Sequence, residues 1–278
     1  TLGIAAPAQA APLDFLKNIT TSQLPTVPAW KVGQEATHRL TVDMGAGGTV
    51  SGDLRLAVTG QEGDHYWLEL NLSNPKGSIE GNDIASFFSA LHIRLLTKMV
   101  DQASLQKAAN TAATNPANAL DDTLRKIQFQ LPGQPLYEMD LSTLKSTVGP
   151  MVGGAVPTTP EGTPKVPDLK GDVQFKFGQE TVTVPGGTFN NSLFWDVAYT
   201  EGGNSGSAHV NMADTIPLLP IAKVLVNASG KDVGGNLQVK LELISSAQTG
   251  AKTRTVGTPK AFDMNEFISG IMGGATLE

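Results

Sequence analysis

The sequence predicts a mainly β fold with a few helices, gathered in one domain. Three observations carry this. Apolar and polar residues alternate over many short runs, the period-two signature of half-buried strands. Breaks containing Gly, Asn or Pro separate those runs at short intervals, as hairpin turns do. The third is the stretch from Val182 to Val226, around which the chain is organised. Val182 and Val184 form a β run that stops at Pro185-Gly186-Gly187, because proline removes a ladder donor and glycine admits positive φ. A second run sets Phe189, Asn191, Leu193, Trp195, Val197 and Tyr199 on one face. The loop Glu201–Gly206 reverses the chain, Ala208, Val210 and Met212 open the next strand, and the apolar segment Ile216–Val226 ends the meander.

The N-terminal part has the same character. Leu13–Ile19 makes a helical turn or two, and Pro25 and Pro28 hold an extended approach to Trp30. A strand over Glu35–Met44 places His38, Leu40, Val42 and Met44 on one face, and Gly45–Gly48 turns it. The next strand, Val50–Gly60, puts Leu54, Leu56 and Val58 inside. After a turn at Gln61–Gly63, Asp64–Ser73 adds Tyr66, Leu68, Leu70 and Leu72. Adjacent strands joined by short Gly loops make an antiparallel meander with one dry face.

Beyond Gly77 the pattern changes. Asn82 is placed to cap a helix running to Leu91, with Ile84, Phe87, Phe88 and Leu91 as its apolar stripe. His92–Val100 reads as a strand. Gln102–Thr114 and Ala117–Lys126 read as helical around Pro116. Ile127–Leu131 returns to β, Pro132–Pro135 turns, and Tyr137, Met139 and Leu141 continue on a further strand. The segment 142–170, rich in Pro, Thr and Gly, reads as a mobile insertion, with room for a short apolar helix from Leu144 to Val152. Asn236–Ser245 is a cleanly alternating strand, and Gly250 turns into Ala251–Val256. Asp263–Glu266 is a capping-box pattern opening a short final helix. The total is about ten or eleven strands in a single domain over 11–278.

Bulk properties bound the function. A chain of 278 residues can bury a core without staples, and having no cysteine it has no disulfide and no thiolate metal site. A net charge of −6 excludes the clustered basic surface of a nucleic-acid binder. Only 17% of residues are charged, which points to export to the periplasm or the cell exterior. Ala8-Gln9-Ala10 fits a cleavage pattern, so 1–10 is a signal-peptide remnant or a disordered tail. No apolar run is long enough to span a membrane as a helix, which predicts no transmembrane segment.

Catalytic and metal chemistry find no purchase. The four histidines, His38, His65, His92 and His209, are far apart in sequence and form no paired ligand motif. Gly203-Asn204-Ser205-Gly206 is a turn and not a nucleophile elbow. The Gly45–Gly48 and Gly234-Gly235 stretches lack the lysine of a phosphate loop, and Asp121-Asp122 reads as a surface pair. The expectation is no enzyme, no cofactor and no metal. Trp67 and His65 fall on the outer face of their strand and, with Trp195, make a candidate aromatic contact patch.

Taken in order, Y-W-L-E-L (Tyr66–Leu70), L-P-G-Q-P-L-Y-E-M-D (Leu131–Asp140), T-V-T-V-P-G-G-T-F (Thr181–Phe189), D-T-I-P-L-L-P (Asp214–Pro220) and L-E-L-I-S-S (Leu241–Ser246) follow a pattern. It resembles exported bacterial proteins of unassigned function that are similar to lipoprotein-carrier half-barrels of the LolA/LolB type. The resemblance implies a curved antiparallel sheet wrapped over helices, with an apolar cavity between them. In a carrier, that cavity takes a lipid, an acyl chain or an apolar peptide, and its wall includes Phe87, Phe88, Leu91, Met139, Phe189, Trp195 and Met212. Met and aromatic side chains suit such a wall because they adapt to ligands of varied shape. The other class the sequence allows is a structural or interaction protein of the envelope or cell surface, with a filled core and a protein partner.

Overall fold

The computed structural model describes residues 26, 28–77, 92–99, 124–131, 134–140, 171–230 and 235–263. Twelve strands form one sheet. They are β1 (Glu35–Asp43), β2 (Thr49–Glu62), β3 (His65–Lys76), β4 (His92–Lys98), β5 (Leu124–Gln130), β6 (Tyr137–Asp140), β7 (Asp172–Val184), β8 (Gly187–Glu201), β9 (Asn204–Met212), β10 (Ile221–Gly230), β11 (Gly235–Ala247) and β12 (Lys260–Ala261). The order across the sheet is β12-β6-β5-β4-β3-β2-β1-β11-β10-β9-β8-β7. Every pairing is antiparallel except β12 with β6. The chain runs outward from β1 to β6 on one side. It then crosses to β7 at the far edge and returns inward to close β11 on β1.

The register keeps the alternation in phase from strand to strand. Leu40 stands beside Leu241, Leu56 beside Leu70, Leu70 beside Ile93, and Ile93 beside Phe129. On the other half Val224 pairs with Leu241 and Val210, and Val210 with Trp195. One apolar face therefore runs from Met139 on β6 to Phe177 on β7. A one-residue slip anywhere would turn a strand's apolar set to the other side.

One end of this inner face is filled. A bulge at Glu180/Val182, where Asn191 takes φ 56°, re-aims the tip of the β7–β8 hairpin. Val182 and Val184 then pack with Ala36, Ile216, Ala222 and Leu243, and Phe189 joins them. Beside them Trp30 packs with Leu56, Val58 and Leu218, and its indole N–H donates to the Leu218 carbonyl at 3.2 Å. The apolar turn Asp214–Pro220 is thus a plug. Its Ile216 is fully buried, and the Ala213 N–H bonds the Pro220 carbonyl across its base at 2.9 Å.

The sequence places most of these strands, with corrections. Leu124–Lys126, expected at the end of a helix, opens β5 instead. Ala251–Val256, which follows the turn at Gly250, is an extended strap. Among the described residues the only helical element is the short 3-10 turn Gly45–Gly47, so the expected wrapping over helices is not seen there. The helices expected at Leu13–Ile19, Asn82–Leu91, Gln102–Thr114, Leu144–Val152 and the C-terminus lie outside the described residues, as do the 1–10 tail and the 142–170 insertion.

Candidate apolar trough and its polar back

Where the strap crosses, the two faces of the sheet are buried in the opposite sense to an ordinary core. On the inner face Leu40, Leu54, Leu68, Leu70, Leu95 and Leu241 are only half-buried. On the outer face Arg55, Glu69, Asn71 and Gln128 are almost fully buried. Period two puts these polar residues opposite the leucines, and a chain segment covers them. The strap from Gln248 to Pro259 leaves β11, crosses the back of the sheet and ends at β12 beside β6.

Glu69 is the centre of this covered back. Its carboxylate accepts from the Thr253 hydroxyl at 2.6 Å and from the Arg254 N–H at 2.8 Å. It lies 3.4 Å from Arg55 Nη1 and 3.9 Å from Arg94 Nε. Arg55 also donates to Glu35, Asn71 and the Lys252 carbonyl. Arg94 stacks 4.6 Å above the Trp67 ring and donates to Gln128, which donates in turn to Glu138. Gln130 bonds Val256 through both its N–H and its carbonyl. Burial lowers the Arg94 pKa, with Glu69 and Glu62 opposing that effect. This array fastens the strap, and sequence reasoning missed it because a strap without periodicity leaves no signal.

The predicted contact patch of Trp67, His65 and Trp195 does not form. Trp67 and His65 are buried on the outer face, whereas Trp195 is half-buried and its row belongs to the inner face. The Trp67 indole donates to Glu62 at 2.7 Å.

The candidate ligand wall divides. Phe87, Phe88 and Leu91 lie outside the described residues. Met139, Trp195 and Met212 share the inner face, but β6 is second and β8 eleventh in the strand order. At about 4.8 Å per strand they are roughly 40 Å apart along the sheet. Met139 is buried on β6, beside Tyr137 and its contacts with Phe129 and Phe262. Trp195 meets Phe175 with ring centroids 6.3 Å apart. Met212 and Phe189 come together at a cavity of about 370 Å³ next to the plug. A larger groove of about 620 Å³ lies near the opposite strand ends, lined by residues such as Ser205, Ser207, Asn227 and Gln238.

The histidines are dispersed over both faces. His38 is fully buried on the inner face, with Nε2 2.9 Å from the Ile221 carbonyl and no partner for Nδ1 among the described residues. Burial pushes its pKa down against that bond. His209 lies on the back, stacked on Phe194, with Nδ1 2.8 Å from Asp196 and Nε2 2.9 Å from Glu180. Partial burial pulls its pKa down, but the two carboxylates outweigh this and raise it. Among the described residues no group of acidic and histidine side chains is arranged to hold a metal ion, and no helix is long and apolar enough to cross a membrane.

No protein-family model and no curated protein matches the sequence. Solved structures do align with it. One is an outer membrane lipoprotein-sorting protein domain from Vibrio parahaemolyticus, at 11% identity and a TM-score of 0.32, over 94% of this chain and 97% of that one. Another is a DUF1329 family protein from Desulfovibrio piger, at 10% identity and a TM-score of 0.27, over 84% of this chain and 90% of that one.

Proposed function

We propose that the protein is a non-catalytic, exported carrier or binding protein. It holds a lipid, an acyl chain or an apolar peptide along the inner face of its sheet. The observation that carries this is the inverted burial. Leucines and valines on successive strands stay half-exposed on one face, while the ionic groups beneath the strap on the other are sealed. Contiguous exposed apolar surface of this extent marks a binding site in a soluble domain. The curl of the β7–β8 tip over that face makes it a trough with one closed end. Few charges and no cysteine suit an exported protein, in the periplasm or outside the cell.

The test is titration with monoacylglycerols and fatty acids of increasing chain length. Trp195 reports binding because it is half-exposed on the inner face, whereas Trp30 is buried in the filled end and Trp67 under the outer face. Each methylene buried adds about 0.8 kcal/mol, so the dissociation constant should fall about fourfold per methylene until the trough is full. Val226→Asp, in the middle of the inner face, should abolish binding in a folded protein. Absence of saturable binding at every length would sink the reading.

One observation favours a second reading, an interaction protein of the envelope. Among the described residues strand β7 is an edge of the sheet, and Phe177 on it is 50% exposed. Such an edge is a template for strand addition. Association that Phe177→Lys abolishes, without any lipid binding, would support it.

A further inference from the structure

We propose that the cavity of about 370 Å³ at the closed end of the trough is a head-group site, and that it selects lipids with a polar but uncharged head. This rests on the trough reading and narrows it to a ligand class.

The position comes first. Gln179, Leu193 and Met212 pair across β7, β8 and β9 in one row of the inner face. The next residue of β8 on that face is Trp195, paired with Phe177 and Val210. The chamber therefore adjoins the apolar strip at its last row. An amphiphile lying over Trp195 would put its head there.

The chemistry of the lining comes next. Leu193, Phe189 and Met212 supply apolar surface. Around them stand Gln179, Thr188, Asn190, Asn191 and Thr215, whose amides and hydroxyls both donate and accept. Asn190 accepts from the Thr181 hydroxyl through its carbonyl, which leaves its amide N–H groups for a ligand. Asn191 is held at φ 56° in the bulge, a conformation asparagine tolerates better than most residues, so the pair is fixed by the backbone. The opposite wall is the plug loop, tied by the Ala213–Pro220 and Ile216–Ala213 backbone bonds.

Charge decides the class. The one charged residue among the described lining residues is Asp214. The polar lining is solvent-exposed, so a carboxylate or phosphate head would keep its hydration but gain no counter-charge and face a like charge, an arrangement that opposes binding. Hydroxyls or an amide on a glycerol- or sugar-like head would find matched partners. Asp214 can accept from such a hydroxyl.

The experiment compares heads on one chain, using the full protein and Trp195 fluorescence. The probes are 1-palmitoylglycerol, palmitate and palmitoyl lysophosphatidylglycerol. The glycerol ester should bind about fivefold more tightly than either anion, the repulsion of one like charge at contact distance in water. Gln179→Lys, an exposed position on the same row, should narrow or reverse that preference by supplying a cation. Asp214→Asn should narrow it by removing repulsion. Equal binding of the three probes, unmoved by either variant, would overturn the head-group site and leave the trough standing. Tighter binding of the anions by the unmodified protein would overturn it as well. If none of the probes binds, the trough reading itself falls and the head-group site with it.

Discussion

Removing the Glu69 carboxylate leaves two guanidinium groups without their common partner. Arg55 keeps its ion pair with Glu35, so Glu69→Ala should cost about 1–3 kcal/mol in urea denaturation, the penalty for buried donors left without an acceptor. The hydroxyl of Thr253 and the Arg254 N–H lose their acceptor too, so the strap should become protease-sensitive in the variant. Histidine sets a pH window. His209 is raised in the folded state, so its contribution is full below about 6.5 and is lost as pH climbs through the raised value. His38 and His92 are lowered by burial, so each disfavours folding increasingly as pH falls below about 6.5 toward its folded value. The histidine contribution to stability, measured by thermal melts, should therefore peak near about pH 6.5. His209→Gln should flatten the alkaline limb and leave the acid limb unchanged. Little of this was legible beforehand. Period two put Glu69, Arg55 and Gln128 on the outer face correctly, yet an outer face is ordinarily solvated, and nothing in the strap's sequence announces that it lies on them.

At the scale of the element, the β7–β8 hairpin is the part whose docking closes the trough. Its tip is held by one backbone bond, from the Gly186 N–H to the Leu243 carbonyl at 2.9 Å, and by the packing of Val182 and Val184. A Cβ on Gly186 would stand 2.9 Å from Leu243 Cγ and 3.1 Å from its carbonyl oxygen, too close for either to hold its place. Gly186→Val should therefore lift the tip. Hydrogen exchange should rise at Val182–Phe189 and stay unchanged on β2 and β3; uniform exchange across the sheet would contradict the docking role. The turn itself was readable from Pro185-Gly186-Gly187, because those residues fix backbone geometry locally. The bulge at Asn191 was not. The expected single face from Phe189 to Tyr199 breaks there, since a bulge adds a residue without changing composition.

The whole molecule has two apolar zones that answer mutation differently. Leu243 is fully buried between the hairpin tip and the plug, so Leu243→Ala should cost about 2–5 kcal/mol. Leu241, two residues along the same strand on the trough, is half-exposed and should cost visibly less in the ligand-free protein. Alternation could not separate these, because a filled and an open face have the same period. What separates them is the folding back of the hairpin and the plug, which cover only one end. Ligand linkage turns this into a measurement. A ligand that binds only the folded state adds about 2.7 kcal/mol when present at about a hundred times its dissociation constant. With 1-palmitoylglycerol, Leu243→Ala should lower the melting temperature but keep the ligand increment, since Leu243 is core and lines neither the trough nor the chamber. Val226→Asp should lose the increment. Glu69→Gln, on the opposite face, should lower the baseline and keep the increment, as sites without shared partners add independently. If the back-face variant erased the increment while the trough variant kept it, the ligand would lie under the strap and the trough would be a core left half-covered.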